Sequence, residues 1–258
     1  MNRLFKASVI ENRLLVKNHH LLTLHPLEKI KKTKPGNFFM VSVDNGLEPL
    51  LKRPLSVHRI LGQDFQLLYR VMGKGTSILS RKKPDDILEI LGPLGNGFPL
   101  NIRSDNITLV AGGIGIAPIF ALAESLNAKR PVLFYGARLK KEILCLSEMD
   151  SIGIKPVIAT DDGSAGKKDN IVNLLKQHIS RSRSRFSGTI LYACGPTPML
   201  KALSVFAQKN GLGGYFAMEQ HMACGIGTCL GCVIKTTKGY KRVCKEGPVF
   251  PIEEIVWE

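Results

Sequence analysis

Apolar residues over positions 1–100 come in short runs that alternate with polar residues, a pattern typical of β-strands. Turn-forming residues such as Pro35 and Gly36 separate the runs. The pattern predicts strands at residues 4–10, 13–17, 20–24, 38–43, 55–60 and 65–71. Six short strands at this spacing indicate a small antiparallel β-barrel.

The pattern changes after residue 100 to short apolar runs that alternate with segments of helical period. The predicted strands are residues 107–111, 132–135, 157–160, 190–193 and 214–217, and the predicted helices are residues 117–127, 143–149, 171–178 and 197–209. Strands that alternate with helices favour a parallel sheet covered on both faces. The expected fold class is therefore mixed: an N-terminal antiparallel β-barrel (1–100), a doubly wound α/β nucleotide domain with a parallel sheet (101–216) and a small C-terminal module (217–258).

Four of the six cysteines lie in the C-terminal module, as Cys224, Cys229, Cys232 and Cys244. Their C-x4-C-x2-C-x11-C spacing begins like that of plant-type [2Fe–2S] proteins, in which four thiolates hold two irons. A structural zinc site and two disulfides are the alternatives. Zinc fits less well because its cysteines usually come in two short pairs, whereas Cys244 stands alone. His221 lacks the paired spacing of a Rieske centre and is expected not to be a ligand.

The N-terminal residues contain charges inside their apolar pattern and no continuous apolar core, so no signal peptide is predicted. The longest uncharged run, residues 106–123, contains glycines and a proline, which suit a strand, a turn and a helix better than a membrane span. We therefore expect a cytoplasmic protein that does not enter a membrane. Thiols stay reduced in that compartment, which favours a metal over disulfides.

The chain carries 36 lysines and arginines against 21 aspartates and glutamates, which gives a net charge of +15. This charge either keeps the protein soluble or forms a basic face for an acidic partner or an anionic nucleotide. The basic runs lie at residues 29–34, 81–83 and 181–185. None of them is interleaved with aromatic residues and no nucleic-acid motif accompanies them, so nucleic-acid binding is not expected.

Two stretches of the predicted barrel carry candidate chemistry. In the first stretch, Arg53, Pro54, Leu55 and Ser56 open a strand. A guanidinium at this place suits a phosphate, and the Ser56 hydroxyl suits the edge of a ring system. The alternative is a surface arginine beside a proline that opens a strand.

The second stretch contains Leu68, Tyr69 and Arg70, and a short loop leads from them to Gly75 and Thr76. A Gly-x-Gly-Thr sequence that opens a helix offers free backbone N–H groups to a phosphate. By itself such a loop is often only a turn. Together with the first stretch it predicts a nucleotide site on the barrel.

The first turn of the α/β domain is rich in glycine, with Gly112, Gly113 and Gly115 between a predicted strand and a predicted helix. The sequence reads G-x-G-x-x-P, so the strict dinucleotide fingerprint is not met. The physical argument still applies, because glycines let backbone N–H groups approach a pyrophosphate at the start of a helix. A plain tight turn is the alternative.

A second turn at the carboxyl edge of the sheet contains Cys194, Gly195 and Pro196. Cys194 is either a redox thiol or a small residue beside a bound ring, and the second interpretation is preferred. Cys145, on a predicted helix, is expected in the core. Arg138 follows the second strand, where it either meets the 2′-phosphate of NADP or is a solvated loop residue, and the solvated loop is preferred.

Five motifs stand in one order along the chain, namely R-P-L-S, G-K-G-T, G-P-L-G-N-G-F, G-G-I-G-I-A-P and C-G-P-T-P-M-L. Together they resemble the ferredoxin–NADP reductase superfamily. The C-terminal M-x-C-G-I-G-x-C-x-x-C and V-C-x-x-G-P-V-F narrow the resemblance to the electron-transfer subunit of the NAD-linked (type B) dihydroorotate dehydrogenase. One departure is Gln220-His221 after Glu219, where many relatives carry an acidic and a basic residue, and it leaves the polarity near the cysteines open.

This resemblance implies FAD on the barrel, NAD(H) at the two turns of the α/β domain, and a [2Fe–2S] cluster on the four cysteines. The implied FAD residues are Arg53, Pro54, Leu55, Ser56, Leu68, Tyr69, Arg70, Gly75 and Thr76, with Ser56 and Tyr69 expected to position the flavin. The implied NAD residues are Gly112, Gly113, Gly115, Cys194, Gly195 and Pro196. The implied cluster ligands are Cys224, Cys229, Cys232 and Cys244.

The resemblance also implies a partner. The three expected modules use the whole chain, so the dihydroorotate site is expected on a catalytic subunit that carries FMN, in a heterotetramer. Electrons from dihydroorotate oxidation would pass through the cluster and FAD to NAD⁺, as part of pyrimidine biosynthesis. The alternatives are a reductase subunit for a ferredoxin-type or hydrogenase-type complex, and a zinc-stabilised nucleotide-binding module without a redox role.

Overall fold

The computed structural model describes residues 3–44, 46, 48–102, 104–182 and 186–257. Its first part is a closed barrel with the strand order β1-β2-β5-β4-β3-β6. The barrel strands are β1 (Arg3–Val16), β2 (His19–Pro26), β3 (Phe38–Val41), β4 (Arg53–Leu61), β5 (Asp64–Arg70) and β6 (Ile87–Leu94), and the short helix α1 (Lys74–Leu79) follows β5 in the chain. Neighbouring barrel strands pair antiparallel, which confirms the predicted barrel.

The barrel has the predicted number of strands, but two of the predicted strands are halves of β1. Asn12 suggested a turn, yet it lies inside β1 because its Nδ2 donates to the carbonyl oxygens of Leu79 and Lys82 at 2.8 and 3.1 Å. The sixth strand is β6, which the sequence did not predict because Gly92 and Pro93 indicate a loop.

The second part is a seven-stranded sheet with the order β10-β9-β8-β7-β11-β12-β15. Its strands are β7 (Ile107–Gly112), β8 (Val132–Ala137), β9 (Val157–Thr160), β10 (Lys167–Lys168), β11 (Ile190–Cys194), β12 (Gly214–Ala217) and β15 (Val249–Pro251). The helices are α2 (Ile116–Ser125), α3 (Leu146–Ser151), α4 (Ile171–Arg181) and α5 (Thr197–Lys209). All strands run parallel except β15, so the predicted α/β sheet is confirmed.

The C-terminal module is tied to the sheet. It contains the hairpin of β13 (Val233–Thr236) and β14 (Gly239–Arg242). Its last strand, β15, pairs antiparallel with β12, and Phe250 faces Phe216 across that pair. The module is thus built onto an edge of the nucleotide sheet, and the predicted domain boundaries after residues 100 and 216 stay predictions.

One apolar layer fills the barrel, and a second joins the barrel to the sheet. Inside the barrel, the rings of Phe39 and Phe65 stack with their centroids 4.3 Å apart. Between the barrel and the sheet, Leu21 and Leu68 pack into one buried cluster with Phe120 of α2. The second layer fixes the barrel against the helix that follows the glycine-rich turn.

No helix among the described residues is both long and apolar enough to cross a membrane. The cytoplasmic location stays a prediction. Arg183 and Arg185 of the third basic run lie outside the described residues.

Candidate functional site

The pairing of β4 with β5 stops short of one end, which leaves a gap in the hydrogen-bonded ladder that we call the cleft. Their ladder ends where Val57 faces Leu67. Beyond that point residues 53–56 pair with β3 and residues 68–70 pair with β2. The β4–β5 ladder therefore leaves the facing backbone edges of both stretches free to bind a ligand. The two candidate stretches of the barrel thus line one cleft.

One corner of this cleft is cationic. The Arg53 guanidinium lies against the start of α1, so closely that a Cβ added to Gly75 would stand 2.2 Å from its Nε. The Thr76 Oγ1 accepts hydrogen bonds from the backbone N–H groups of Met72 and Gly73 at 2.9 and 3.2 Å, and it closes the loop before the helix. A guanidinium beside a helix start is suited to a diphosphate.

Three of the predicted barrel residues have side chains that do not face the cleft. Leu55 and Tyr69 point into the barrel core, and Leu68 packs between the barrel and α2. The Tyr69 hydroxyl donates to the Asn12 Oδ1 at 3.0 Å, and burial raises the pKa of that phenol. Leu55, Leu68 and Tyr69 can therefore serve the cleft only through their backbone, and their places among the FAD residues stay predictions.

A cavity of about 430 Å³ lies at the carboxyl edge of the parallel sheet, the usual place for ligands in such sheets. It brings together five of the residues predicted for NAD, namely Gly112, Gly113, Gly115, Gly195 and Pro196. Arg70 also lines this cavity, together with His19 of the barrel. Since Arg70 ends one of the stretches beside the barrel cleft, the two sites adjoin at this residue.

Glycine is needed at these positions of the cavity for different physical reasons. A Cβ on Gly115 would stand 2.4 Å from the Cys194 carbonyl oxygen, and a Cβ on Gly112 would stand 2.6 Å from the Met199 Sδ. These two glycines let the turns after β7 and β11 pack together. Gly113 instead has a φ of 52° and open space around its Cα, so its backbone can face a ligand.

Cys194 is the one predicted NAD residue that the described lining of the cavity does not include, and its role stays a prediction. Its side chain is 1% exposed and is absent from the described lining of the cavity. Burial raises the pKa of the thiol well above its usual value, which disfavours a reactive thiolate. The Cys194 backbone packs on Gly115.

The cavity also contains charged residues that were not predicted for it. They are Glu142, Asp161, Asp169 and Glu219, and Arg138 is present as well. Arg138 is solvent-exposed, in agreement with the preferred interpretation as a solvated loop residue, but the residue also lines the cavity. Asp161 directly follows β9. Its position at the carboxyl end of a predicted strand could have identified it from the sequence as a candidate for this site.

The four cysteines of the C-terminal module form two pairs. Cys224 contacts Cys229 through its side chain, and Cys244 contacts Cys232 in the same way. Cys229 is exposed, whereas Cys232 and Cys244 are buried. Across the described residues no three potential ligands converge on a point that would hold a single metal ion. Cys224 also acts electrostatically on Cys244, so the two pairs are neighbours, and two adjacent thiol pairs match the donor set of a [2Fe–2S] cluster, one pair for each iron.

The backbone around the first pair favours a thiolate. The N–H groups of Thr228 and Cys229 point at the Cys224 Sγ at 3.4 and 3.5 Å. Although burial opposes ionisation, these backbone N–H groups lower the pKa of Cys224 to about 6. Burial, together with the neighbouring Cys232, raises the pKa of Cys244 to about 12. A metal's positive charge would allow the second pair to ionise.

An ion pair braces the cysteine loop. The Arg242 Nη1 donates to the Gly227 carbonyl oxygen at 2.7 Å, and its Nε donates to the Glu246 Oε2 at 3.0 Å. The backbone N–H of Arg242 also donates to that carboxylate at 2.7 Å. The brace joins the loop that carries Cys224 and Cys229 to the turn after β14 that carries Cys244.

The cysteine loop lies directly on the barrel. A Cβ on Gly225 would stand 2.6 Å from the Met40 Cγ, and Gly225 has a φ of 70°. Met40 belongs to β3, where it faces Pro54 of β4. The cysteine loop is therefore separated by one strand from the stretch that carries Arg53.

Comparison with known proteins gives two family matches. Residues 219–256 match the iron–sulfur cluster binding domain of dihydroorotate dehydrogenase B, and residues 109–204 match the oxidoreductase NAD-binding domain. The chain is 37% identical over 266 residues to the electron transfer subunit of dihydroorotate dehydrogenase B (NAD(+)) from Desulforamulus reducens, and the alignment covers 100% of both chains.

Solved structures share the fold. The NADH-dependent reduced ferredoxin–NADP oxidoreductase, studied for flavin-based electron bifurcation, superposes with a TM-score of 0.84 and 27% identity over 97% of this chain and 90% of that chain. A ferredoxin NADP⁺ reductase from Neisseria gonorrhoeae with bound FAD and NADP superposes with a TM-score of 0.69 and 15% identity, over 85% of this chain and 95% of that chain. The second likeness concerns the fold alone.

Proposed function

The chain belongs to the family of electron-transfer subunits of the NAD(+)-linked dihydroorotate dehydrogenase B, and from this premise we infer that its three sites form one electron path. The protein is an oxidoreductase subunit with FAD, a [2Fe–2S] cluster and NAD as cofactors. It passes electrons from dihydroorotate oxidation on a catalytic partner to NAD⁺. When bound, the cluster carries single electrons and the flavin converts them to hydride.

We assign the cofactors to the sites as follows. The cleft between β4 and β5 holds FAD, with Arg53 at its phosphates and Ser56 at its ring edge. The cavity at the sheet edge holds NAD(H), with the Gly113–Gly115 turn at its pyrophosphate. The proposed cluster ligands are Cys224, Cys229, Cys232 and Cys244.

The observation that supports this path best is the contiguity of the three sites. Arg70 lies beside the cleft and lines the cavity. Gly225 of the cysteine loop packs on Met40, which faces Pro54 at the other side of the cleft. A flavin in the cleft would therefore lie between a nicotinamide and a cluster, which is the order that conversion of single electrons to hydride requires.

An anaerobic titration of the purified chain with NADH tests the assignment. We expect NADH to bleach the flavin absorbance and then to produce the low-temperature EPR signal of a reduced [2Fe–2S] cluster. Flavin bleaching without an EPR signal would refute the link between the two sites. Absence of both flavin and iron would instead favour the nucleotide-binding module without a redox role.

The partner is proposed to be a catalytic subunit with its own FMN, in a heterotetramer. It is proposed to dock on a surface that we call the cluster-edge patch, formed by residues around the exposed Cys229. The patch consists of Ile226, Leu230, Val233 and Tyr240, which are 46%, 60%, 37% and 70% exposed. An apolar patch at the edge of an electron carrier suits docking, because it brings a partner within transfer distance while excluding water.

Leu230→Lys is expected to weaken the complex with the catalytic subunit by about tenfold, since a charge at the centre of an apolar interface costs more than 1 kcal/mol. Titration calorimetry with the catalytic subunit measures this affinity. Leu14→Lys is the matched control, because Leu14 is 58% exposed on β1 of the barrel. Equal weakening by both variants would contradict docking at the cluster-edge patch.

Asp161 is proposed to favour NAD over NADP. Its carboxylate lines the cavity at the end of β9, where it would repel a 2′-phosphate. Asp161→Asn removes the repulsion between this carboxylate and the 2′-phosphate of NADPH, and a like-charge contact costs several kcal/mol at most. We therefore expect the variant to raise the efficiency with NADPH relative to NADH by about tenfold. Steady-state diaphorase assays measure the ratio.

Asp162→Asn is the control for this change. Asp162 is the next residue, but its Oδ1 accepts from the Ser164 Oγ at 2.6 Å and the residue does not belong to the described lining of the cavity. Loss of the negative charge at Asp162 should leave the efficiency with NADPH relative to NADH nearly unchanged. A similar ratio in both variants would show that Asp161 acts only through the general charge of the loop.

A further inference from the structure

The contact between the barrel and the α/β domain has a feature that neither cofactor site explains. The pairing of β4 with β5 shifts register between Val57 and Arg59, which makes His58 the extra residue of a β-bulge. A bulge re-aims a side chain, and His58 here leaves the barrel wall to contact α2 and the start of α3. It is 0% exposed in that contact.

His58 contacts two residues of the α/β domain. Its ring stacks on the Phe120 ring with centroids 4.8 Å apart, and its Nε2 lies 3.7 Å from the Cys145 Sγ. Burial lowers the pKa of His58 to about 4 and raises the pKa of Cys145 to about 12, so both groups are uncharged at neutral pH. Cys145 has a φ of 61°, which is rare for residues other than glycine and persists only where packing fixes it.

The next residue of β4 holds the same helix. The Arg59 Nη2 and Nε lie 2.7 and 2.8 Å from the Glu124 Oε1. The Arg59 guanidinium also stands over the Phe120 ring, 5.8 Å from its centroid. Phe120 is thus contacted by two consecutive residues of β4. We name His58, Arg59, Phe120, Glu124 and Cys145 the interdomain clasp.

The two elements joined by the clasp each lead to one cofactor site. Strand β4 begins at Arg53, so residues 53–56 of the cleft lie on the same strand as His58. Helix α2 begins directly after the Gly113–Gly115 turn of the cavity. None of the clasp residues lines the cavity. The clasp therefore joins the two elements that lead to the sites, and its residues do not themselves line the cavity.

We propose that the interdomain clasp positions the flavin site against the nicotinamide site and so sets the rate of hydride transfer between them. The proposal rests on the proposed function, which places FAD in the cleft and NAD(H) in the cavity. With FAD held beside Arg53 and Ser56 and NADH held at the Gly113–Gly115 turn, the chemistry between them would be a hydride transfer that oxidises NADH to NAD⁺ and reduces the flavin. Such a transfer would require close approach of the two rings, so a misplacement of about 1 Å can cost about 100-fold in rate.

The ion pair between Arg59 and Glu124 allows a test in which the two charges are swapped. Arg59→Glu and Glu124→Arg each place like charges in contact, whereas the double variant restores an opposite pair in reversed order. In holoprotein of verified FAD content, stopped-flow absorbance measures flavin reduction by NADH, and titration measures NADH affinity. We expect each single variant to slow flavin reduction by about tenfold or more with NADH affinity changed far less, and the double variant to recover most of the rate.

Hydrogen–deuterium exchange adds a readout that does not depend on turnover. In the single variants, backbone amides of β4 and α2 should exchange faster together, because the clasp joins these elements. Asp64→Asn is the matched control. It removes the charge of the Asp64 carboxylate, whose Oδ1 lies 2.6 Å from the His25 Nδ1 in a contact that is more exposed than the Arg59–Glu124 pair and lies entirely within the barrel. It should leave both exchange and hydride transfer unchanged.

The outcomes separate this proposal from the proposed function. If NADH reduces the flavin at the wild-type rate in both single variants, the clasp has no positioning role while the function stands. If the rate falls only in proportion to lost FAD, or the double variant does not recover, the clasp is a structural contact only. If NADH does not reduce the flavin of the wild-type protein, the proposed function fails and the positioning role fails with it.

Discussion

Replacement of Cys229 by serine is expected to remove the [2Fe–2S] cluster and to abolish electron transfer from the catalytic subunit to the flavin. Cys229 is the exposed member of the first cysteine pair, and its backbone N–H also points at the Cys224 Sγ. A hydroxyl is a poor substitute for a thiolate as an iron ligand. The low-temperature EPR signal after reduction with dithionite should disappear.

The same variant should keep the reaction that does not need the cluster. The cleft between β4 and β5 and the cavity at the sheet edge do not include Cys229, so NADH should still bleach the flavin. Cys145→Ser is the control for the EPR signal, since Cys145 is a buried cysteine far along the chain from the module. An unchanged EPR signal in Cys229→Ser would exclude Cys229 as a ligand. Loss of the signal in both variants would indicate general instability.

Replacement of Arg53 by alanine is expected to weaken FAD binding by about 100-fold, since two hydrogen bonds from a guanidinium to a diphosphate are worth about 3 kcal/mol. The protein should be purified with little flavin and regain it only at high FAD concentration. Fluorescence titration of the flavin-free protein measures the affinity. The α/β domain and its NADH affinity should not change.

Two glycines of the adjacent loop test the geometry of this corner. A Cβ on Gly75 would collide with the Arg53 guanidinium at 2.2 Å, whereas nothing lies within 4 Å of a Cβ on Gly73. Gly75→Ala should therefore displace a flexible side chain, keep the fold and lose FAD affinity. Gly73 has a φ of −166°, which suits any residue, so Gly73→Ala should bind FAD normally. Equal FAD affinity in both variants would contradict the place assigned to Arg53.

The sequence predicted the α/β sheet well because its strands are buried on both faces and read as apolar runs, as in residues 107–111. It also contained a signal against a flavin role for the Tyr69 side chain. In a strand, alternate residues share a face, so Tyr69 lies with Phe65 and Leu67 inside the barrel. The strand period thus directs the Tyr69 side chain away from the cleft, although the resemblance implies this residue for FAD.

Other features were beyond prediction from one sequence. The register shift that makes His58 the extra residue of β4 depends on how β5 pairs with it, which no local pattern encodes. The pairing of β15 with β12 depends on tertiary structure in the same way. The cysteine spacing predicted a cluster, but the division into two pairs and the contact of Gly225 with Met40 came only from the fold.

The central claim is that this chain connects dihydroorotate oxidation to NAD⁺ through its cluster and flavin. The most direct measurement is NADH formation, followed at 340 nm, after addition of dihydroorotate and NAD⁺ to the anaerobic complex with the catalytic subunit. We predict that the wild-type complex forms NADH and orotate in equal amounts, and that the complex with Cys229→Ser forms orotate only when an artificial acceptor oxidises the partner. NADH formation at an unchanged rate by the Cys229→Ser complex would contradict the path.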